Sequence, residues 1–308
     1  MMLTNENAMS NIEQISFEGV GVLVNAPAKI NLSVLVGALR DDGFHEIETV
    51  MAKVNWFDRV LVEPSKSRGI QLVCKGPYWA PEGKENLCYQ ACRKICDKYD
   101  MPCNIKITLD KQLPAGAGLG SGSSDAAAVL IAVNLLFKLE LPGDELRKIA
   151  AELGSDVPFF LDGPLAFCCG KGEKIKKLNE IFNFKALLLL PDISVSTKRV
   201  YENFHENKGL FKDFSAKINA FIGENRIDLV AKMCANMLDS SCLCLHEKLK
   251  QLKKGVESLG IRPLSLSGSG STLYKIYYND DINICEQDKC ELERNIDCKC
   301  VIVSNNRW

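Results

Sequence analysis

Leu113-Pro-Ala-Gly-Ala-Gly-Leu-Gly-Ser-Gly-Ser-Ser-Asp125 puts four glycines and three serines into thirteen residues and runs directly into Ala126-Ala-Ala-Val-Leu-Ile-Ala-Val-Asn-Leu-Leu-Phe137. Upstream, Asn104-Ile-Lys-Ile-Thr-Leu109 alternates polar and apolar side chains as a half-buried strand does. Downstream, the run is apolar on every side, which predicts a buried helix. The glycines therefore join a strand to a helix, and that junction is where a phosphate binds. Without Cβ atoms, Gly116, Gly118, Gly120 and Gly122 let the backbone take positive φ and lie close to a ligand. Ser123 or Ser124 is the expected cap of a helix whose free N–H groups and positive dipole end favour an anion. No lysine follows the glycines, which excludes the Walker pattern. The glycines also recur every second residue, with Ser123 where a dinucleotide fingerprint needs its third glycine.

Working outward, 308 residues are enough for two domains. The hydrophobic fraction of 46% and charged fraction of 25% are those of an ordinary soluble protein. With 38 basic and 39 acidic side chains the net charge is −1, so no overall basic field would hold nucleic acid or an anionic membrane. Apolar runs such as 126–133 and 186–190 fall short of the roughly 18 residues that cross a bilayer. Residues 1–20 hold three glutamates, no arginine and no apolar segment, so they read as an extension without assigned function rather than a targeting signal. None of the fourteen cysteines stands as C-x-x-C, and the histidines are only His45, His205 and His246. Reduced thiols packed as small hydrophobes, in a cytoplasmic protein, are the reading.

Taken in order, residues 22–36 are strand-rich, and Lys29 and Asn31, two apart, face the same side in extended geometry. Residues 37–45 are turn-rich and end in Phe44-His45. Short strands are expected over 59–62 and 70–74, and a helix over 84–99 with Cys88, Cys92 and Cys96 on one face. A second helix over 142–153 stops at Gly154, and Asp156 just beyond it is in a place where aspartate is usually a cap. Residues 165–169 and 173–178 flank Gly170-Lys-Gly172 like a hairpin. After a buried strand at 186–190, helices are expected over 196–206, 214–222, 226–238 and 244–259. Strands are then expected over 263–266, 272–278 and 299–303. A soft domain boundary falls near Glu180, with an extensive interface between the halves.

Pro27-Ala-Lys-Ile-Asn-Leu32, the loop from Pro114 to Ser124, and Leu266-Ser-Gly-Ser-Gly270 resemble, in order, the three motifs of the GHMP small-molecule kinases. Arg40-Asp-Asp-Gly-Phe-His45 and Leu153-Gly-Ser-Asp-Val-Pro-Phe159 are similar to the branch that acts on a cytidine diphosphate derivative of methylerythritol in the non-mevalonate isoprenoid pathway. The resemblance implies an α+β, two-domain fold. Residues 21–180 would form an ATP-binding half like the second domain of ribosomal protein S5, and 181–308 a ferredoxin-like half. It implies transfer of the ATP γ-phosphate to the 2-hydroxyl of 4-(cytidine 5′-diphospho)-2-C-methyl-D-erythritol. The alternatives are a homoserine or mevalonate type of kinase, or a non-catalytic ATP-binding module.

By the same resemblance, Asp156 is the catalytic base, since a tertiary alcohol is too weak an acid to attack unaided, and Lys29 is its cationic partner. ATP is expected on Pro114, Ala115, Gly116, Ala117, Gly118, Leu119, Gly120, Ser121, Gly122, Ser123 and Ser124. Its adenosine is expected near Asn86, Leu87 and Lys111, and Ser124 could reach a magnesium ion. The acceptor is expected on Asn31, Phe44, His45, Asp156, Tyr201, Gly268, Ser269 and Gly270, with Phe44 and Tyr201 walling the cytidine. Partners are small molecules alone; no nucleic acid, membrane or protein partner is implied.

Overall fold

The computed structural model describes residues 13–179, 182–278, 281 and 283–308. Strand β1 (Ile15–Glu18) pairs antiparallel with β2 (Gly21–Leu39), Ile15 opposite Val24. The last part of the segment read as an extension is thus an edge strand; residues 1–12 lie outside the described residues. β2 is buried over nearly its whole length, which is why residues 22–36 read as an almost unbroken apolar run.

The turn at residues 40–44 returns the chain into β3 (His45–Pro64), of which the sequence pattern reveals only the far end. Glu46, Lys53 and Asp58 interrupt the alternation, and each is matched by a tertiary partner: Gly170 N, the Phe160 and Asp162 carbonyls, and Lys111. β3 is long enough to serve several neighbours. β4 (Ile70–Lys75) lies parallel to β5 (Ile105–Asp110), β5 pairs with Arg59–Pro64 of β3, and β6 (Leu165–Gly170) pairs with Ile47–Ala52. β7 (Lys174–Lys177) completes a hairpin with β6.

Against this seven-stranded sheet lie α1 (Leu87–Lys98), α2 (Ser121–Leu136), α3 (Gly143–Ala151) and α4 (Val157–Phe160). The small side chains Ala126, Ala127 and Ala128 are buried and let α2 approach the sheet closely. α1 buries Cys88, Cys92 and Cys96 on one face, and all fourteen cysteines are free thiols.

The second half builds a four-stranded antiparallel sheet in the order β11-β8-β10-β9 from β8 (Lys185–Leu190), β9 (Ser265–Leu266), β10 (Leu273–Tyr277) and β11 (Lys299–Ser304). Its helices are α5 (Thr197–Glu202), α6 (Lys208–Gly223), α7 (Ile227–Met233), α8 (Asp239–Leu245), α9 (Glu247–Ser258) and α10 (Ile284–Asn295). The single helix expected over 226–238 is split. Cys234 takes a left-handed φ of 46°, and the chain beyond it docks on β2, where Val34 N donates to Ala235 O at 2.7 Å and Met237 N to Val34 O at 2.9 Å. The core of this half continues through Ile30, Leu32, Val50 and Ala52 of β2 and β3, so the two halves share one apolar interface. The boundary expected near Glu180 falls on residues outside those described. Among the described residues no helix is long and apolar enough to cross a membrane.

Candidate active site

A cavity of about 510 Å³ lies where α2, β2 and the 267–271 loop meet, and the glycine loop forms much of its wall. α2 begins at Ser121. Its cap is Gly120, with φ of 69° and no capping side chain, and Ser124 N already donates to Gly120 O at 2.9 Å. The expected cap at Ser123 or Ser124 is therefore absent: a left-handed glycine turns the chain into the helix at least three residues earlier. The consequence is chemical, because no side chain shields the first-turn N–H groups, and Ser121, Gly122 and Ser123 line the cavity. Ser124 does not line it. The Ser124 hydroxyl is buried, with no hydrogen-bond partner among the described residues.

The glycines have different tasks. A Cβ on Gly116 would meet nothing within 4 Å, whereas one on Gly118 would lie 2.1 Å from the Ser267 carbonyl oxygen and one on Gly120 2.8 Å from the Phe160 ring. Gly118 is bare so that two loops can touch: Ser267 Oγ donates to Gly118 O at 2.8 Å and Thr272 N to Ala117 O at 3.2 Å. Lys29 N donates to Leu119 O at 2.9 Å. Ala117 and Leu119 are buried and, with Pro114, do not line the cavity, while Ala115, Gly116, Gly118 and Gly120 do.

At the cavity floor Lys29, 3% exposed, holds its Nζ 2.5 Å from Asn31 Oδ1 and 3.7 Å from Asp156 Oδ2. Lys29 and Asn31 thus share a face, as their spacing predicts. Asp156 stands at the N-terminal cap position of α4 but makes no capping bond, so its carboxylate, 38% exposed, is free to face the cavity. Pro158, in the first turn of α4, has no N–H to cap. The other end of α4 is held by Lys53, whose Nζ donates to Phe160 O at 3.2 Å and Asp162 O at 2.6 Å. Burial lowers the Lys53 pKa to about 7. Burial also lowers the Lys29 pKa, and the Asp156 charge offsets this only in part.

At one end of the cavity stand Trp79, Pro81, Asn86 and Leu87. The Asn86 amide is already committed, accepting from Cys88 N at 2.8 Å to cap α1 and donating to Pro81 O at 2.7 Å. Lys111 lines this end too, but its ammonium lies 2.5 Å from Asp58 and 2.6 Å from Asp125, all three buried. It pins structure and has no charge to spare for a phosphate. One lysine cannot balance two carboxylates; burial, with the neighbouring Asp58 charge adding, pushes the Asp125 pKa well up.

The other end gathers Asn31, Tyr201, Gly268 and Ser269, with Thr197 Oγ1 2.8 Å from Ser269 Oγ. Gly270 is not among the lining residues; a Cβ there would meet Cys242 and Leu266. Phe44 and His45 also stand outside the wall. Phe44 is 51% exposed with the Lys171 ammonium 4.9 Å from its ring centre, and His45 Nδ1 lies 2.9 Å from Gly37 O with its ring against Tyr201 and Phe204. Among the lining residues that sequence reasoning missed are Thr49, Trp79, Lys171 and Thr197. Lys171 carried the clearest signal, a cation between two hairpin glycines. Among the described residues no group of three or more His, Cys, Asp or Glu is placed to hold a metal.

The family profile described as GHMP kinases N terminal domain matches residues 86–164, the span from the start of α1 past α4. A 4-diphosphocytidyl-2-C-methyl-D-erythritol kinase from Syntrophus aciditrophicus is 39% identical over 83% of this chain and 90% of its own length. One of the same name from Clostridium botulinum is 35% identical over 84% and 91%. A crystal structure of a 4-(cytidine 5′-diphospho)-2C-methyl-D-erythritol kinase superposes with a TM-score of 0.72 at 30% identity, covering 93% of this chain and all of that one. A homoserine kinase from Cytophaga hutchinsonii, 18% identical, superposes with a TM-score of 0.74 over 96% and 98% of the two chains and shares the two-domain fold. Identity at this level over most of both chains goes beyond a shared fold, and the chain belongs to the 4-diphosphocytidyl-2-C-methyl-D-erythritol kinase family.

Proposed function

We propose that the protein transfers the γ-phosphate of ATP to the 2-hydroxyl of 4-(cytidine 5′-diphospho)-2-C-methyl-D-erythritol, with Asp156 as base and Lys29 as its cationic partner. The observation that carries the roles is the buried Lys29 ammonium 3.7 Å from an uncapped carboxylate, beside the bare N-terminus of α2. The first-turn N–H groups of α2 and the open backbone at Gly116 would hold the triphosphate. Residues 21–180 would carry ATP, and residues 181–308 would close the acceptor side through Tyr201, Gly268 and Ser269. Asp156 takes the hydroxyl proton as the alcohol oxygen bonds to the γ-phosphorus, the bond from that phosphorus to the β–γ bridging oxygen breaks, and ADP leaves. Lys29 offsets charge on the transferring group.

A magnesium ion on ATP would neutralise charge on the β- and γ-phosphates. The donors on the cavity wall fit one carried in by the nucleotide: the Asp156 carboxylate and the Ser121 and Ser123 hydroxyls are hard oxygens, and magnesium keeps most of its ligands as phosphate and water. Lys171, at the acceptor end, is the cation suited to the substrate diphosphate. Fourteen free thiols support a reducing, cytoplasmic setting, with ATP and the cytidine derivative as partners.

The test is a direct assay with both substrates. The cytidine substrate should turn over, and Asp156→Asn should lower kcat by roughly two to four orders of magnitude with little change in ATP affinity. The uridine analogue, with its hydrogen-bonding edge reversed, should lose at least about tenfold in kcat/KM. Equal rates on the two bases, or efficient phosphorylation of homoserine or mevalonate, would refute the substrate; unchanged turnover in Asp156→Asn would refute the base.

A further inference from the structure

We propose that Thr49 is a positioning residue for this reaction: its hydroxyl fixes which way the Asn31 amide faces and thereby holds the Lys29 ammonium as a donor beside Asp156. The proposal deepens the catalytic reading of Lys29 and Asp156 and rests on it.

The argument is one of proton inventory. Thr49, on β3 and 4% exposed, has a single hydroxyl proton. Its Oγ1 lies 2.5 Å from the Ser33 carbonyl oxygen, which can only accept, so the proton is committed there. What the hydroxyl then offers Asn31, 2.9 Å away, is a lone pair, and Asn31 must meet it with its NH2 group. The other end of the same amide, the acceptor Oδ1, is thereby turned to Lys29 Nζ at 2.5 Å. Turning the amide round would oppose an NH2 to an ammonium and leave two donors face to face. The chain runs one way, from the Lys29 ammonium through the Asn31 amide and the Thr49 hydroxyl to the Ser33 carbonyl.

The backbone fixes both ends of this chain. The pairing of β2 with β3 shifts register between Asn31 and Ser33, a bulge of the kind that re-aims side chains near active sites. The Tyr274 hydroxyl, from β10 of the second half, donates to Asn31 O at 2.5 Å, and Val50 N donates to Ser33 Oγ at 3.2 Å. Asn31 therefore has little freedom except rotation of its amide, and Thr49 removes that. The charged or titratable groups facing Lys29 are Asp156, on the junction before α4, and the buried Cys168 thiol on β6. Burial disfavours the ammonium, so an acceptor-only neighbour bears directly on whether it stays charged.

Thr49→Val keeps the shape and removes the oxygen; Thr49→Ser keeps the oxygen. Thr49→Val should lower kcat by about tenfold, the worth of one hydrogen bond in a charged chain, with KM for ATP within about twofold of the parent. The alkaline limb of its kcat–pH profile should move to lower pH, because Lys29 loses its proton more readily, and Thr49→Ser should restore both kcat and profile. Should Thr49→Val fail to fold, Thr49→Ala, which imposes no bulk, should show the same slowing and the same shift. Parent kcat and pH profile in the folded Val or Ala variant, or a Ser variant as slow as they are, would overturn the proposal. Turnover lost in Lys29→Met but kept in Thr49→Val would overturn this proposal alone. Turnover kept in Lys29→Met would overturn the catalytic reading and this one with it.

Discussion

Lys29 and Lys111 are buried cations on the wall of the same cavity, and they are held in opposite ways. Lys111 sits between two buried carboxylates at 2.5 and 2.6 Å, and despite the cost of burial their charges raise its pKa. Lys29 has one carboxylate, 3.7 Å away and partly open to solvent, and burial prevails to lower its pKa. A lysine enclosed by two acids is a structural pin. Asp58 also accepts from Gln112 N and Leu113 N at 2.5 and 2.8 Å, so the triad fixes where β5 gives way to the glycine loop. A lysine with one distant partner keeps its charge available to a third group, such as a transferring phosphate. Burial alone does not separate these two lysines; the number and distance of their carboxylates do.

The largest expected difference separates the two lysines by assay. Lys111→Met leaves two carboxylates buried without a cation and should destabilise the fold by about 3–5 kcal/mol. Lys29→Met leaves only the Asn31 Oδ1 acceptor unpaired and should cost at most about 1–3 kcal/mol of stability, while turnover falls by at least about a hundredfold. Urea unfolding and initial rates on both variants measure this, and an Lys111→Met variant as stable as the parent would break the comparison.

A smaller difference sharpens it within the glycine loop. Gly116→Ala should carry only the left-handed penalty of about 1–2 kcal/mol, since its Cβ meets open space. Gly118→Ala drives a methyl into the Ser267 carbonyl and should cost roughly 1–3 kcal/mol more, through the contact between the halves rather than through lost phosphate space. Thermal unfolding of the two variants decides it. Equal melting temperatures would mean that the loop-to-loop contact is not what requires Gly118.

What the sequence discloses follows the same division between local and tertiary causes. The strand–loop–helix unit, the cysteine face of α1 and the shared face of Lys29 and Asn31 are legible because periodicity and glycine spacing are local. β3 is mostly hidden, since Glu46, Lys53 and Asp58 find partners far along the chain, at Gly170 N, the Asp162 carbonyl and Lys111. The split of the 226–238 helix is hidden for a like reason, because only the docked strand β2 rewards the break at Cys234. At the site, residue type suggests a nucleotide contact for Lys111 and a metal role for Ser124. Geometry adds what residue type does not show: the Lys111 ammonium is enclosed by two acids, and the Ser124 hydroxyl is buried with no partner among the described residues. Thr49 carries no signal at all until the direction of its hydrogen bonds is known.

The central claim is that Lys29 and Asp156 act as one unit, and a double-mutant cycle on kcat tests it most directly. Lys29→Met, Asp156→Asn and the double variant would be assayed with ATP and 4-(cytidine 5′-diphospho)-2-C-methyl-D-erythritol at saturating concentrations. Groups that act together are strongly non-additive, so the double variant should be within about tenfold of the slower single variant. Losses that multiply, with the double variant slower by the product of the two single effects, would show two independent residues and contradict the account.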